Sequence, residues 1–302
     1  MCVNGLQLYF LNFLEESRMN VNLNENSEKN VSNFDNFNIE IINGRKYITS
    51  ASDKSAINFK EESNENALVD FLNIGKANIF NDEDLETKVL EFVNNYSILG
   101  LMNDFPVNKY YFSNDNVILK EYNYIGNSDF TSSINLVEYF QIFFPKCTFT
   151  EIKDLIEKAK KIAETSAMQQ YIDEDLNKLI INSSAYSEPL DMFIQYATYL
   201  YNLLDSIVND KTTIYDNLRQ FEVNHLLLHF EENKTISVNV PITYLKQFID
   251  YSFIKIVSKE VNLLKICKFC NKAFIAKNPK AEYDTPKCKN KANVYKNRAK
   301  NK

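Results

Sequence analysis

Three cysteines and one aspartate near the C-terminus have the residue types and the spacing of a metal site. Cys267 and Cys270 form a C-x2-C pair, and two thiolates at that spacing lie on a tight turn from which both can bind one ion. Asp284 lies four residues before Cys288, which is about one helical turn. Because a carboxylate oxygen can replace a sulfur at zinc, we expect these four side chains to bind Zn²⁺.

The role of Asp284 has an alternative. Helices often begin with Asp or Thr at the N-cap and Pro at the first helical position, and Asp284, Thr285 and Pro286 fit that pattern. In that case one of the two residues before the proline caps the helix, and water or a distant side chain supplies the fourth metal ligand. Both interpretations stay open from the sequence.

The segment that carries these residues is strongly basic. From Lys265 to the end, eleven Lys and one Arg are accompanied only by Glu282 and Asp284, a net charge of +10. Since the whole chain carries −6, the preceding 264 residues carry −16. A basic segment on an acidic body indicates a polyanion partner, although a solvated tail has the same composition. We expect nucleic acid, and DNA in particular, at Lys287, Lys289, Asn290, Lys291, Asn293, Lys296, Arg298 and Lys300.

Residue type separates two roles among the polar side chains of this predicted helix. Lysine and arginine neutralise phosphates, which gives affinity without sequence information. Asn290, Asn293 and Asn297 are candidates for base readout, because an asparagine amide can pair bidentately with adenine. The alternative is that these amides are simply solvated, in a chain that is rich in asparagine.

The terminal stretch also has the order of elements of a treble-clef-like zinc module. A Cys pair on a turn is followed by a short β-prone run and then by residues that favour a helix from Pro286 onward, with Cys288 in its first turn. So few apolar residues cannot bury enough surface to fold alone. Metal ligation would supply the missing folding free energy.

This terminal run resembles the CGNR-type zinc-finger family. Cys267, Cys270 and Cys288 match ligand positions of that family, Asp284 stands at the third cysteine, and Lys289 stands at the glycine of the Cys-Gly-Asn-Arg motif. The resemblance covers about 40 residues. It implies a bacterial transcription regulator, or another nucleic-acid-binding protein, with an N-terminal α+β domain that senses a signal.

Other residues give little support for catalysis. His225 and His229 are the only histidines, and their spacing lacks the glutamate of an HExxH zinc protease. Cys147 is interpreted as a buried thiol rather than a nucleophile. We therefore favour a protein that is not an enzyme. Two rival hypotheses stay open: a protein-interaction or phage-defence-type component whose zinc module is structural, and a metal-dependent nuclease.

Composition sets the class and the compartment. With 45% hydrophobic residues, only five Gly and no Trp, the chain is typical of a globular protein and not of a glycine-loop nucleotide enzyme. Five Cys without a secretory signal argue against disulfides and for a reducing cytoplasm. No stretch reaches the roughly 18 apolar residues of a membrane span. Met19 is an alternative start to Met1, and a homo-oligomer or a protein partner remains open.

We predict a mostly helical α+β protein in four parts. Asn43-Gly44 indicates a hairpin over 38–49, and Thr148 with Glu151 indicates a capping box before a helix at 150–165. Further helices are predicted at 65–75 (stopped at Gly75), 83–99, 133–144, 188–209 (capped by Ser187) and after Pro241, and further strands at 108–125 (turn at 113–116) and 222–240. The parts are a variable or disordered N-terminus (1–37), an α+β domain (38–145), a helical domain (146–260) and the zinc module (261–302).

Overall fold

A computed structural model describes nine segments of the chain. They are residues 37–51, 65–104, 116–122, 129–165, 185–209, 227–230, 236–239, 245–257 and 263–300. The predictions for residues 1–36, for His225 and for the start of the helix that Pro241 was expected to open lie outside these segments. Among the described segments, every helix is too short or too polar to cross a lipid bilayer.

The described residues contain seven α-helices and nine short strands, so the predicted mostly helical α+β class is confirmed. The helices are α1 (Glu65–Ile79), α2 (Leu85–Tyr96), α3 (Leu136–Phe143), α4 (Phe149–Thr165), α5 (Leu190–Val208), α6 (Leu245–Val257) and α7 (Pro286–Lys300). The strands are β1 (Phe37–Ile42), β2 (Arg45–Ser50), β3 (Asn116–Tyr122), β4 (Asp129–Asn135), β5 (Ser187–Pro189), β6 (Leu227–Phe230), β7 (Ile236–Asn239), β8 (Leu264–Ile266) and β9 (Ala273–Ile275).

All strand pairs in the described segments are antiparallel. One three-stranded sheet has the order β1-β2-β5, and three hairpins pair β3 with β4, β6 with β7, and β8 with β9. The sheets are small, and helices therefore supply most of the buried surface. The turn of the β8–β9 hairpin carries two of the predicted ligands, Cys267 and Cys270.

Two predictions from local residue chemistry are confirmed. The β1–β2 turn places Asn43 at φ 51° and Gly44 at φ 81°, the conformation that a two-residue hairpin loop requires and that Asn-Gly adopts readily. At the start of α4, the backbone N–H of Thr148 donates to Glu151 Oε2 at 2.7 Å. The N–H of Glu151 donates back to Thr148 Oγ1 at 3.4 Å, which completes the capping box.

The predicted stop at Gly75 is wrong, because α1 continues to Ile79. Gly75 is needed for helix packing instead of helix termination. A Cβ atom added at this position would lie 2.1 Å from the carbonyl oxygen of Ala197 in α5, far inside van der Waals contact. Only glycine permits this approach of the two backbones, so α1 and α5 pack unusually close together.

Two other boundaries also differ from prediction. Ser187 does not cap α5, because residues 187–189 form β5 and Thr49 pairs with Ser187 in the sheet. In the predicted 108–125 hairpin, Asn116 begins β3 instead of ending a turn, and β3 pairs with β4. Since β4 extends to Asn135, the helix predicted from 133 begins at Leu136. In each case strand pairing with a distant or downstream segment prevailed over the local pattern.

The hydrophobic core surrounds α5, which is buried on most of its circumference. Aromatic rings from α1 and α5 meet there, with Phe71 and Phe193 centroids 5.4 Å apart in an edge-to-face contact. The terminal hairpin joins the same core through Leu264 and Ala273, which are 0% and 2% exposed. The segment that carries the cysteines is therefore anchored to the body of the protein and is not a free tail.

One buried carboxylate organises the loop after α2. Glu188 is fully buried in β5, and its oxygens accept hydrogen bonds from the backbone N–H groups of Leu99 (2.9 Å), Gly100 (2.5 Å) and Leu101 (2.8 Å) and from the Tyr186 hydroxyl (3.0 Å). Gly100 has φ 81°, and this conformation turns three successive N–H groups toward one acceptor. Burial raises the pKa of Glu188, and the four donors partly offset that effect.

We expect Glu188→Gln to destabilise the fold by about 2–3 kcal/mol, because the amide NH₂ would face buried N–H donors and leave at least one of them without an acceptor. Urea unfolding monitored by circular dichroism measures the change. Glu86→Gln is the matched control, since Glu86 forms an exposed ion pair with Lys46. That control should cost less than about 0.5 kcal/mol. Equal effects of the two variants would contradict the assigned role of Glu188.

Candidate metal centre

The first two cysteines lie on a tight turn between β8 and β9. The backbone N–H of Asn271 donates to Cys267 O at 2.9 Å, and the N–H of Cys267 donates to Lys272 O at 2.9 Å. Asn271 has φ 58°, a left-handed conformation that asparagine tolerates better than most residues. The turn thereby holds Cys267 and Cys270 on the same side of the hairpin, as the C-x2-C spacing predicts.

Helix α7 begins with a threonine cap. Thr285 Oγ1 accepts a hydrogen bond from the backbone N–H of Cys288 at 3.2 Å, the contact that defines an N-cap residue, and Pro286 occupies the first helical position. Of the two capping candidates, Thr285 therefore caps the helix. Asp284 is left free to direct its carboxylate toward the cysteines.

The four predicted ligands converge. One ligand atom from each of Cys267, Cys270, Asp284 and Cys288 lies within 4.8 Å of all the others. Asp284 Oδ1 is 3.3 Å from the Cys267 sulfur, and Oδ2 is 3.6 Å from the Cys270 sulfur. In a tetrahedral site with ordinary Zn–S and Zn–O bonds, sulfur and oxygen are about 3.5 Å apart. The four side chains are thus placed where they can hold a metal ion.

Burial and hydrogen bonds set the protonation states of these groups without a metal. Burial raises the pKa of the Cys270 thiol to about 12, with a further contribution from its neighbours Cys267 and Cys288. Burial alone would raise the pKa of Asp284. Hydrogen bonds from the three thiols outweigh the effect of burial, so the net result is a lowered pKa for Asp284. The cluster therefore combines an ionised carboxylate with a protonated Cys270 thiol, and a cation must displace protons to bind.

Two side chains from the body hold the cysteine turn in place. The side-chain oxygen of Asn73 in α1 accepts from the backbone N–H of Ala273 at 2.9 Å, and its side-chain NH₂ donates to the Ala273 carbonyl at 3.1 Å. The amide of Asn73 thereby satisfies the edge of β9 as the backbone of a neighbouring strand would. Tyr201 in α5 donates its hydroxyl hydrogen to Asn271 O at 2.6 Å. Sequence reasoning missed both residues, because nothing local to an asparagine or a tyrosine marks a partner that is 70 to 200 positions away.

Further contacts join the cysteine turn to the segment before α7 and to α7 itself. The backbone N–H of Lys268 donates to the backbone carbonyl of Glu282 at 3.0 Å. The side chains of the same two residues form an exposed ion pair, with Nζ 2.5 Å from Oε1. The rings of Phe269 and Tyr295 lie 5.9 Å apart, and the Lys291 ammonium is 6.0 Å from the Phe269 ring. Helix α7 therefore contacts the turn at two places, its ligand-bearing first turn and the Tyr295 ring.

All the side chains predicted to contact nucleic acid are exposed on α7. They are Lys287, Lys289, Asn290, Lys291, Asn293, Lys296, Arg298 and Lys300. Only Cys288, one of the four candidate ligands, and Ala292 are partly buried in this helix, and no residue of α7 is fully buried. The helix therefore presents almost its whole length to solvent.

In the described part of the chain, Cys267, Cys270, Asp284 and Cys288 are the one cluster that could hold a metal ion, and Cys147 is not part of it. His229 lies in strand β6, where its backbone pairs with Ser237, and not on a helix. Cys147 is half-buried next to Glu151, and burial raises the pKa of its thiol. A thiol with that shift is a poor nucleophile at neutral pH.

Comparison with known proteins gives no relative. No family model, no curated protein and no solved structure matches the chain. The resemblance to CGNR-type zinc fingers accordingly rests on Cys267, Cys270, Cys288 and the basic helix alone, and it stays a prediction. The metal-binding geometry does not depend on it.

We expect Asp284→Ala to weaken binding of Zn²⁺ or Co²⁺ by about 100-fold or more, since loss of a direct ligand should exceed the 10–100-fold typical of an outer-shell change. Asp284→Cys should restore tight binding, because a thiolate is an equivalent ligand. Competition with a chromophoric chelator measures both affinities. Glu282→Ala removes a carboxylate two residues away and should leave the affinity unchanged. Wild-type affinity of Asp284→Ala would show that Asp284 is not a ligand.

Metal binding should release protons and weaken as the pH falls. The Cys270 and Cys288 thiols have raised pKa values in the metal-free protein, so both are protonated at neutral pH and must lose their protons to coordinate. Calorimetric titration with Zn²⁺ in two buffers of different ionisation enthalpy gives the number released, which should exceed one per ion. Cys288→Ser should lower that number. Binding without proton release would contradict thiolate ligation.

Proposed function

We propose that the protein is a nucleic-acid-binding regulator in which Zn²⁺, bound by Cys267, Cys270, Asp284 and Cys288, holds helix α7 in position against DNA. The observation that carries the proposal is the surface of α7. Its 15 residues contain six exposed cations and no acidic residue. A helix of that composition attracts a polyanion and gains little from packing on protein.

The donor set supports zinc as the ion. Thiolates favour soft or borderline ions, and a closed set of four ligands from the protein is typical of structural zinc rather than catalytic zinc. When bound, the ion supplies folding free energy to a segment that has little apolar surface of its own. Since free thiolates require a reducing compartment, the proposal places the protein in the cytoplasm.

The placement of the cations supports contact with a nucleic acid backbone. Helix α7 is about 22 Å long at 1.5 Å per residue, and its cations begin at Lys287 and end at Lys300. That length matches several phosphates along a duplex. The acidic body of the protein, with its charge of the opposite sign, would keep the nucleic acid on the α7 side. This use of the module to bind DNA agrees with the transcription regulator that the resemblance to CGNR-type zinc fingers implies.

A second function has an observation of its own. The β8–β9 hairpin is part of the hydrophobic core, and Asn73 and Tyr201 bind it to α1 and α5. The metal could therefore serve to brace the body of the protein, and α7 could dock an acidic protein partner. This alternative corresponds to a protein-interaction or phage-defence-type component.

Salt dependence distinguishes the two functions. We expect the metal-loaded protein to bind a 20-bp duplex with a steep decrease in affinity as salt rises, because each neutralised phosphate releases a counterion. The triple variant Lys289→Ala/Lys291→Ala/Arg298→Ala should reduce the slope of log K against log salt by about 2–3. Fluorescence anisotropy of labelled DNA at several salt concentrations gives both slopes.

The matched control removes three cations from the body. Lys153, Lys158 and Lys161 are exposed on α4, and their replacement by Ala changes the net charge by the same amount. The control should retain the wild-type slope, which separates a local contact from an effect of net charge. If the wild-type protein binds neither duplex nor single-stranded DNA at low salt, the nucleic-acid role fails and the docking function remains.

A further inference from the structure

Helix α7 has four chemically distinct faces. At 3.6 residues per turn, Cys288 and Ala292 lie on the face toward the metal ligands, and both are partly buried. The opposite face carries a row of three amides, Asn290, Asn293 and Asn297, all of them exposed. The cations lie between these two faces, in one stripe formed by Lys287, Lys291 and Arg298 and another formed by Lys289, Lys296 and Lys300.

The two cation stripes are on opposite sides of the asparagine row. From the helical period, the centre of each stripe is roughly a quarter of a turn from the centre of the row. An α-helix about 10–12 Å across fills the major groove of B-DNA, which is about 12 Å wide. With the asparagine row toward the base edges, each stripe faces the phosphates of one strand, and the stripe that contains Lys291 and Arg298 does so beside Phe269 of the cysteine turn. Phosphate contacts on both sides then fix the orientation of the helix in the groove.

The three amides contribute no hydrogen bond to the described part of the fold. None of the three side chains has a hydrogen-bond partner among the described residues, and Thr285 already caps the helix. Asparagine is also a poor residue for a helix interior, where alanine, lysine or glutamate is favoured. Three unpaired amides in one row therefore weaken α7, and their donors and acceptors are available for a ligand.

We propose that Asn290, Asn293 and Asn297 read adenine bases in the major groove, so that the module prefers duplex sites with A·T pairs. This inference rests on the proposed DNA-binding function and adds its base preference. An asparagine amide donates to adenine N7 and accepts from the adenine N6 amino group. From Asn290 to Asn297 the helix rises through seven residue steps, about 10 Å, which corresponds to about three base steps at 3.4 Å each.

Three labelled duplexes of equal length test the preference with the zinc-loaded full chain. The first is alternating d(AT), the second is alternating d(GC), and the third is d(AT) with every adenine replaced by 7-deazaadenine. The third duplex lacks the N7 acceptor in the major groove but keeps the charge and the base pairing. We expect the wild-type protein to bind d(AT) about tenfold or more tightly than the other two, since one bidentate pair gives at least that discrimination.

The triple variant Asn290→Ala/Asn293→Ala/Asn297→Ala should bind all three duplexes with the affinity that the wild type shows for d(GC). Alanine favours the helix more than asparagine does, so the variant should fold and retain the metal, which the chelator assay checks. Asn95→Ala/Asn202→Ala, at exposed helical positions of the body, is the control and should keep the full preference.

Three results would overturn the inference. They are equal binding of d(AT) and d(GC) by the wild type, an undiminished affinity for the 7-deazaadenine duplex, and retention of the d(AT) preference by the triple variant. In each of these the salt-dependent binding could persist, which would leave the proposed function standing. Absence of binding to every duplex would remove both.

Discussion

Helix α7 has little apolar surface with which to pack, so its position depends most on the convergence of four candidate metal ligands at its first turn. None of its residues is fully buried, and the cations along it repel one another. Besides the contact of the Tyr295 ring with Phe269, the helix is held at its first turn, where Thr285 caps the backbone and Cys288 approaches Cys267, Cys270 and Asp284. Most helices are held in position by an apolar stripe that packs along their whole length. A single ion bound at the first turn would hold α7 in position from one end instead.

The ligand cluster is in turn attached to the body. Asn73 extends the β8–β9 hairpin with a two-way hydrogen bond to Ala273, and Tyr201 holds the carbonyl of Asn271 inside the cysteine turn. These contacts are short and come from the two helices, α1 and α5, that form the centre of the core. A continuous series of packed and hydrogen-bonded groups therefore runs from the core to the metal ligands and on to the basic surface.

The sequence predicted those features that depend on neighbouring residues. The Asn43-Gly44 turn, the Thr148–Glu151 capping box and the C-x2-C turn each follow from the geometry of a few consecutive residues. Features made by distant segments were missed or misread. Ser187 has the chemistry of a cap but lies in a strand paired with β2, and the pairing partner is known only once the chain has folded. The side-chain type of Asn73 carries no mark of its role, for the same reason.

The close approach of α1 and α5 at Gly75 affects more than the core. Gly75 is only two residues from Asn73 on the same helix, and its contact is with the backbone of Ala197 near Tyr201. Any larger residue at this position would push the two helices apart, and with them the two side chains that seat the cysteine turn. A substitution in the core would then displace the terminal helix. The size of one residue in the core therefore controls where the basic surface of the terminal helix lies.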